Sequence, residues 1–138
     1  MGIEMEQLLD AYEYEMEIAL NNYNMMGQML DVAYVQSRLR FWEINELYIY
    51  GGGYTGIQLY NAAKEFANVQ AIVDKTGALL VNIPDIPVIN MEEFRSQYQN
   101  QKVIITPNKF YQEIQNDISS FVPQEKMIYL GEFLGGLR

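Results

Sequence analysis

The 138-residue sequence contains neither cysteine nor histidine. It therefore offers no disulfide bond, no thiolate nucleophile, no ordinary zinc site and no Ser-His-Asp relay. Any acid–base chemistry would depend on Asp, Glu, Lys or Tyr. Long apolar runs are also lacking, since no stretch approaches the roughly 20 residues of a membrane-spanning helix. The early acids Glu4, Glu6 and Asp10 do not fit a signal peptide, so a cytoplasmic protein is expected.

Positive charge is scarce as well. The formal net charge is −9, with nine acidic and two basic residues in 1–46 and nine acidic and seven basic residues in 47–138. Nucleic acid is therefore not an expected partner, because its phosphates need clustered Lys and Arg. A small nucleotide remains compatible, because backbone N–H groups and one helix end can hold its phosphate.

The N-terminal third of the sequence has helical spacing. Residues 3–20 place apolar side chains on one side and acids on the other, which predicts an amphipathic helix. Poor helix formers between Asn21 and Gly27 indicate a break, and a second helix is predicted over 25–41. The two form a helical hairpin or one bent helix, with a single continuous helix as the alternative.

This N-terminal helical segment is assigned to residues 1–44, ahead of an α/β domain over 45–138. The apolar positions of its second helix include Ala33, Tyr34 and Phe41. A stripe of methionines and aromatic residues at helical spacing is typical of a packing surface. Residues 1–41 are therefore expected to pack on the α/β domain, on a second copy in a homodimer, or on a partner enzyme. The acidic stripe indicates a solvated face and not a metal site.

From residue 47 onward, strand and helix patterns alternate. Strands are predicted at 47–50, 69–73, 87–89, 103–105 and 127–130, helices at 54–66, 91–98 and 108–120, and a loop at 75–86. The last helix has Phe110, Ile114 and Ile118 in step. This alternation is typical of a small Rossmann-like parallel sheet, and right-handed crossovers favour the strand order 3-2-1-4-5. Ligands of such sheets bind at the switch point, here between the first and fourth strands.

The first strand-to-helix turn carries the predicted phosphate site. It comprises Gly51, Gly52, Gly53, Tyr54, Thr55 and Gly56, in which three glycines fit G-x-G-x-x-G. The first glycine permits the turn, the second leaves the backbone open to a phosphate, and the third permits close packing of helix on sheet. N–H groups of the first helical turn would face the phosphate. The alternative is a tight turn that binds nothing.

Three more residues complete the predicted site. Asp74 lies at the end of the second strand, 18 positions past Gly56, where a carboxylate accepts hydrogen bonds from a ribose. Lys75 is placed to meet a second phosphate, and Thr106 ends the fourth strand across the crevice. Solvated or turn-forming roles are the alternatives for all three.

One further motif is rejected. Tyr60 and Lys64 have the Y-x-x-x-K spacing of the catalytic pair in short-chain dehydrogenases. They lie on the helix directly after the glycine turn, whereas in that family the pair lies much further along the chain. A core role for Tyr60 and a solvated Lys64 are predicted instead.

Several segments together resemble a known module. They are Tyr48-Ile49-Tyr50-Gly51-Gly52-Gly53, Ala71-Ile72-Val73-Asp74, Ile86-Pro87-Val88-Ile89 with Glu92-Glu93-Phe94, and Val103-Ile104-Ile105-Thr106. They are similar to the Rossmann-like nucleotide-binding domain of bacterial polysaccharide-biosynthesis enzymes. That domain begins sugar acyltransferases of the sialic-acid and bacillosamine type and precedes nucleotide-sugar dehydratases. The resemblance implies a nucleotide-sugar or NAD(P) ligand, with the glycines on its phosphate and Asp74 on its ribose.

The sequence departs from this family in two respects. Lys75 stands where a second acidic or amide residue is common, and neither a hexapeptide-repeat β-helix nor a dehydratase domain follows. The chain is thus expected to be a free-standing module or part of a longer protein. The sequence is compatible with three functions. The first is a nucleotide-binding module without a complete catalytic site. The alternatives are a small NAD(P)-dependent oxidoreductase or a fragment of one, and a dimerisation module with a vestigial pocket.

Overall fold

The computed structural model describes residues 31–51, 53–75, 85–107 and 110–135, without the side chain of Tyr54. The elements in chain order are α1 (Val32–Phe41), β1 (Glu46–Tyr50), α2 (Tyr54–Ala63), β2 (Asn68–Val73), β3 (Val88–Ile89), α3 (Met91–Gln97), β4 (Lys102–Ile105), α4 (Tyr111–Ile118), β5 (Met127–Tyr129) and α5 (Leu130–Phe133). A 3₁₀ turn over Gln124–Lys126 precedes β5.

The five strands of the described residues form one parallel sheet in the order β3-β2-β1-β4-β5. The predicted α/β class and strand order are confirmed, and every predicted strand end lies within one residue of the observed one. The central strand β1 pairs through Ile49 with Ile72 on one side and Ile104 on the other. The reversal of strand order between β1 and β4 opens the switch point at the carboxyl edge of the sheet.

Both faces of the sheet are covered by helices. Leu47 and Ile49 of β1 belong to a core cluster that includes residues of α1, α2 and α5. Tyr48 and Tyr50 point to the other face, where their cluster includes residues of α3 and α4. All four side chains are buried. A strand that is covered on both faces is apolar at successive positions, which explains why β1 was recognisable as a short apolar run.

Helix α1 packs on the first of these faces with a different side from the predicted one. Val35 and Leu39 are its buried residues, whereas Ala33 is exposed and Phe41 is 67 % exposed. The predicted apolar face is therefore wrong for Ala33 and Phe41. Tyr34 is half-buried, and its hydroxyl donates a hydrogen bond to the carbonyl of Leu134.

Hydrogen bonds to the last helix explain this orientation of α1. The carbonyl of Phe133 accepts from Arg38 Nε at 2.7 Å and from Trp42 Nε1 at 3.2 Å. These hydrogen bonds fix the rotation of α1 about its own axis. The spacing of apolar residues in the sequence does not reveal them. Residues 1–30, including the first predicted helix, lie outside the described residues. The domain boundary after residue 44 stays a prediction, although Val35, Leu39 and Ile44 share a core cluster with the sheet.

Two other differences concern helix ends. Helix α2 ends at Ala63 and not at residue 66, and Phe66 is 40 % exposed although it was predicted on the apolar side. Helix α4 begins at Tyr111 and not at residue 108. Helix α5 was not predicted, because its four residues are too few to show helical spacing. Most of the predicted loop, residues 76–84, lies outside the described residues.

Candidate functional site

A cleft of about 470 Å³ lies at the carboxyl edge of the sheet. It is lined from β1, β2, the segment after β4, and α4, so it occupies the predicted switch point. Its lining residues are Tyr50, Gly51, Gly53, Val73, Asp74, Lys75, Pro107, Phe110, Glu113, Ile114 and Asp117. Four of the predicted site residues, Gly51, Gly53, Asp74 and Lys75, are therefore brought together in one cleft.

The glycine turn is closely packed on one side and open on the other. Gly51 has a φ of +118°, and a Cβ there would lie 2.2 Å from Thr106 Oγ1. A Cβ on Gly56 would lie 2.0 Å from the carbonyl oxygen of Gly51. A Cβ on Gly53, by contrast, would have no described heavy atom within 4 Å. The first and third glycines are thus required by packing, while Gly53 presents bare backbone to the cleft.

The N-terminus of α2 opens onto the cleft at Gly53. Gly53 is its N-cap and provides no side-chain hydrogen bond. In contrast, α1 is capped by the Asp31 carboxylate and α3 by a capping box between Asn90 and Glu93. The first N–H groups of a helix have no partner within the helix and carry partial positive charge. The α2 end is therefore suited to an anion, without competition from a side chain at its N-cap.

The end of β2 supplies the charged side of the cleft. Asp74 is partly exposed, and its N–H donates to the carbonyl of Ile89 at 2.9 Å, which fixes its backbone beside β3. Lys75 Nζ lies 3.4 Å from Asp117 Oδ2 on α4, so this ammonium pairs across the cleft. Both of these side chains are substantially exposed, at 66 % for Lys75 and 42 % for Asp117.

Four other residues were predicted at the site. Thr106 is buried, and its hydroxyl donates to the carbonyl of Tyr50 at 3.0 Å, which links β4 to β1 beside Gly51. Its contact with a ligand stays a prediction, while this structural bond is observed. Thr55 is half-buried in the first turn of α2. Gly52 and the Tyr54 side chain lie outside what the structure describes.

Sequence reasoning missed the wall of the cleft that α4 provides. Phe110 was predicted in step with Ile114 and Ile118, and that prediction is wrong because Phe110 precedes the helix and is 50 % exposed on the cleft. Glu113 and Asp117 join it there. Their spacing of four residues on a helix beside the switch point is the signal that would have identified this wall.

Tyr50 was also missed, because it was assigned only to a strand. Its side chain is 4 % exposed, and its hydroxyl has no hydrogen-bond partner among the described residues. Burial, together with the nearby carboxylates of Asp117 and Asp74, raises the pKa of Tyr50 to about 12. The residue is thus a neutral hydroxyl, able to donate or accept a hydrogen bond, at an acidic part of the cleft.

The unpaired hydroxyl leads to a stability prediction. Tyr50→Phe should raise the free energy of unfolding by about 1 kcal/mol, because a buried polar group without a partner carries its desolvation cost. Tyr48 is the matched control: it precedes Tyr50 by two residues on the same face, and its hydroxyl accepts from Gln97 Nε2 at 3.1 Å. Tyr48→Phe should instead destabilise by a similar amount. Urea unfolding of both variants checks this, and equal destabilisation would contradict it.

A pH prediction follows from three tyrosines. Burial is the main cause that raises the pKa of each of Tyr50, Tyr60 and Tyr98 to about 12. In the unfolded chain their protons leave near pH 10. The unfolded chain therefore loses these protons while the folded chain keeps them, so the free energy of unfolding should be unaffected by these groups below about pH 10 and decline as pH rises towards 12. Urea midpoints measured from pH 8 to 12 would show this decline, and a flat profile over that range would contradict it.

The rejected Tyr60–Lys64 pair does not line the cleft. Tyr60 is buried, as predicted, and Lys64 is exposed but paired with Asp85 at 3.5 Å. Asp85 precedes β3, so this pair faces the amino edge of the sheet, opposite the cleft. Burial and a hydrogen bond to Asp85 raise the pKa of Tyr60 to about 12, which makes it a poor proton donor and a poor base near neutrality.

The fold and the cleft define an α/β protein with an all-parallel, five-stranded sheet whose switch point is open. Comparison of the chain with protein-family models, curated proteins and solved structures gives no match. Across the described ranges, no cluster of three or more acidic residues is arranged to hold a metal ion. None of the helices within these ranges is long and apolar enough to cross a membrane.

Proposed function

We propose that this chain is a nucleotide-binding module that takes a nucleotide-sugar or NAD(P) and has no complete catalytic site of its own. The observation that carries the proposal is the N-terminus of α2, which opens at Gly53 onto a cleft that also contains Asp74. A phosphate would rest on the first N–H groups of α2 and a ribose on Asp74.

The backbone geometry supports an approach of phosphate to Gly53. This residue is exposed, and the space where its Cβ would stand has no described atom within 4 Å. On either side of Gly53, an added Cβ at Gly51 or Gly56 would overlap Thr106 or the carbonyl of Gly51, so these two positions are closely packed while Gly53 is open.

The charge of the cleft favours one kind of dinucleotide. Asp74, Glu113 and Asp117 provide three carboxylates against the single ammonium of Lys75 among the described lining residues. A 2′-phosphate on the ribose would meet net negative charge, whereas free hydroxyls can donate to Asp74. Within the NAD(P) alternative we therefore favour NAD over NADP.

The biological setting proposed is surface-polysaccharide or glycan biosynthesis in the cytoplasm. This part of the proposal rests on the family resemblance of the sequence. An oxidoreductase is the weaker alternative, since Tyr50, the tyrosine among the described lining residues of the cleft, has a pKa of about 12 and is a poor proton donor near neutrality.

A homodimer or partner-enzyme contact through residues 1–41 is the second candidate function. The observation that favours it is Phe41, whose ring is 67 % exposed on the outer side of α1 with Val32 37 % exposed on the same helix. Deletion of residues 1–41 would also remove the core residues Val35 and Leu39. Phe41→Ser is therefore the better test, and sedimentation should show a dimer for the wild type and a monomer for the variant.

A thermal-shift screen tests the nucleotide-binding proposal. The panel is UDP-sugars, CMP-sugars, NAD(H), NADP(H) and CoA. A ligand present at 100 times its Kd should stabilise the folded chain by about 2.7 kcal/mol, enough for a rise of several degrees in Tm. We expect such a rise for at least one nucleotide-sugar or for NAD(H). If no member of the panel raises Tm at millimolar concentration, the proposal fails.

A further inference from the structure

The α4 wall of the cleft does not suit a phosphate. Glu113 and Asp117 line it, and Asp74 faces the same space from the end of β2. The proposed phosphate position, by contrast, is the backbone at Gly53, the N-cap of α2. A nucleotide that places its phosphate at Gly53 would therefore present a chemically different part of itself to the α4 wall.

The structure already places a cation at this wall. Lys75 Nζ lies 3.4 Å from Asp117 Oδ2, with the two side chains 66 % and 42 % exposed. A pair this exposed contributes little stability, so an incoming cation can displace the lysine at small cost. The geometry thus shows that an ammonium fits against Asp117, and the exposure shows that it can be exchanged.

Tyr50 is the second and independent observation. Its hydroxyl is buried without a described partner, and Tyr50 is one of the residues that line the same cleft. Asp117 and Asp74 are close enough to act on this hydroxyl electrostatically. The oxygen of a neutral tyrosine can accept a hydrogen bond from an ammonium.

We propose that Glu113, Asp117 and Tyr50 form a cation subsite that receives a positively charged group on the distal part of the bound nucleotide, and that Lys75 competes for this position. The proposal rests on the proposed function, because the phosphate at Gly53 delivers the distal group to α4. The ligand class is a nucleotide that carries an ammonium, such as that of an amino sugar, or a cationic ring. Nucleotides that end in a carboxylate or a further phosphate are disfavoured.

The test uses two pairs of ligands that differ by one positive charge: UDP-glucosamine with UDP-glucose, and NAD⁺ with NADH. Calorimetric titration of the full chain gives Kd for each ligand, and the two Kd values are compared within each pair that binds. We expect the cationic member to bind about three- to fivefold more tightly, the range of an exposed ion pair. Asp117→Asn should remove this preference, and Lys75→Met should increase it by removing the competitor.

Matched controls carry the same charge changes elsewhere. Glu125→Gln and Lys126→Met alter the 3₁₀ turn before β5, at the opposite edge of the sheet, and should leave both Kd ratios unchanged. Equal affinity within a pair in the wild type, or a preference that survives Asp117→Asn, would overturn the cation subsite alone. If none of the four ligands binds the wild type, the cation subsite is overturned, whereas the proposed function fails only if no member of the thermal-shift panel binds.

Discussion

Gly53→Asp is expected to weaken nucleotide binding by about 100-fold or more while leaving the fold intact. A carboxylate at this position would meet the phosphate within a few ångströms, where the repulsion of two charges near a protein surface is about 4 kcal/mol. The fold should tolerate the change, because the position is open and Gly53 has a φ of −80°. Aspartate is also a good N-cap, so the free energy of unfolding should stay equal or rise by a few tenths of a kcal/mol.

Gly53→Asp is informative because it should weaken nucleotide binding without lowering the stability of the fold. Calorimetric titration gives the loss of affinity, and urea unfolding of the same preparation gives the stability. Gly53→Ala is the neutral control, which should lose far less affinity because it adds one methyl group and no charge. Equal affinity of wild type and Gly53→Asp would show that the phosphate does not rest on the α2 end.

Gly56→Ala should destabilise the protein by about 2–3 kcal/mol. In an exposed helix the same change is normally stabilising by about 1 kcal/mol. Here the new Cβ would lie 2.0 Å from the carbonyl oxygen of Gly51 and 3.2 Å from its carbon. Both are backbone atoms, so neither can move aside as a flexible side chain would, and the helix must shift from the sheet. Overpacking of this kind carries the expected cost.

Gly53→Ala again serves as the comparison, since it makes the same chemical change three residues earlier. It should lower the free energy of unfolding by no more than about 1 kcal/mol, because its Cβ would enter open space and the remaining cost is that of alanine in place of glycine at an N-cap. Urea midpoints at constant m-value give both numbers. If Gly56→Ala were as stable as Gly53→Ala, this result would contradict the close approach of Gly56 to the carbonyl of Gly51.

The architecture was predictable because its signals are local and repeated. Leu47 to Tyr50 is apolar at every position, which is typical of a strand covered on both faces, and a shorter run of this kind recurs at 71–73 in β2 and at 103–105 in β4. The glycine turn was predictable because Gly51 and Gly56 are needed wherever a strand turns tightly into a packed helix. The strand order then followed from the handedness of parallel connections.

The features that sequence reasoning missed depend on contacts between distant parts of the chain. The rotation of α1 is set by bonds from Arg38 and Trp42 to the carbonyl of Phe133, more than 90 residues away. Phe110 kept the helical spacing of Ile114 but precedes the helix. The pairing of Lys75 with Asp117 links the end of β2 to α4, and no local pattern reports it. Such contacts become visible only once the strand order is known.

Phosphate binding at the N-terminus of α2 is tested most directly by an amide-resolved NMR titration of the ¹⁵N-labelled chain with the nucleotide that gives the largest thermal shift. We expect the N–H resonances of Gly53, Thr55 and Gly56 to shift most at saturation, together with that of Asp74, and the resonance of Met127 in β5 to change little. The contrary result would be saturable binding that leaves the first turn of α2 unperturbed and shifts residues elsewhere.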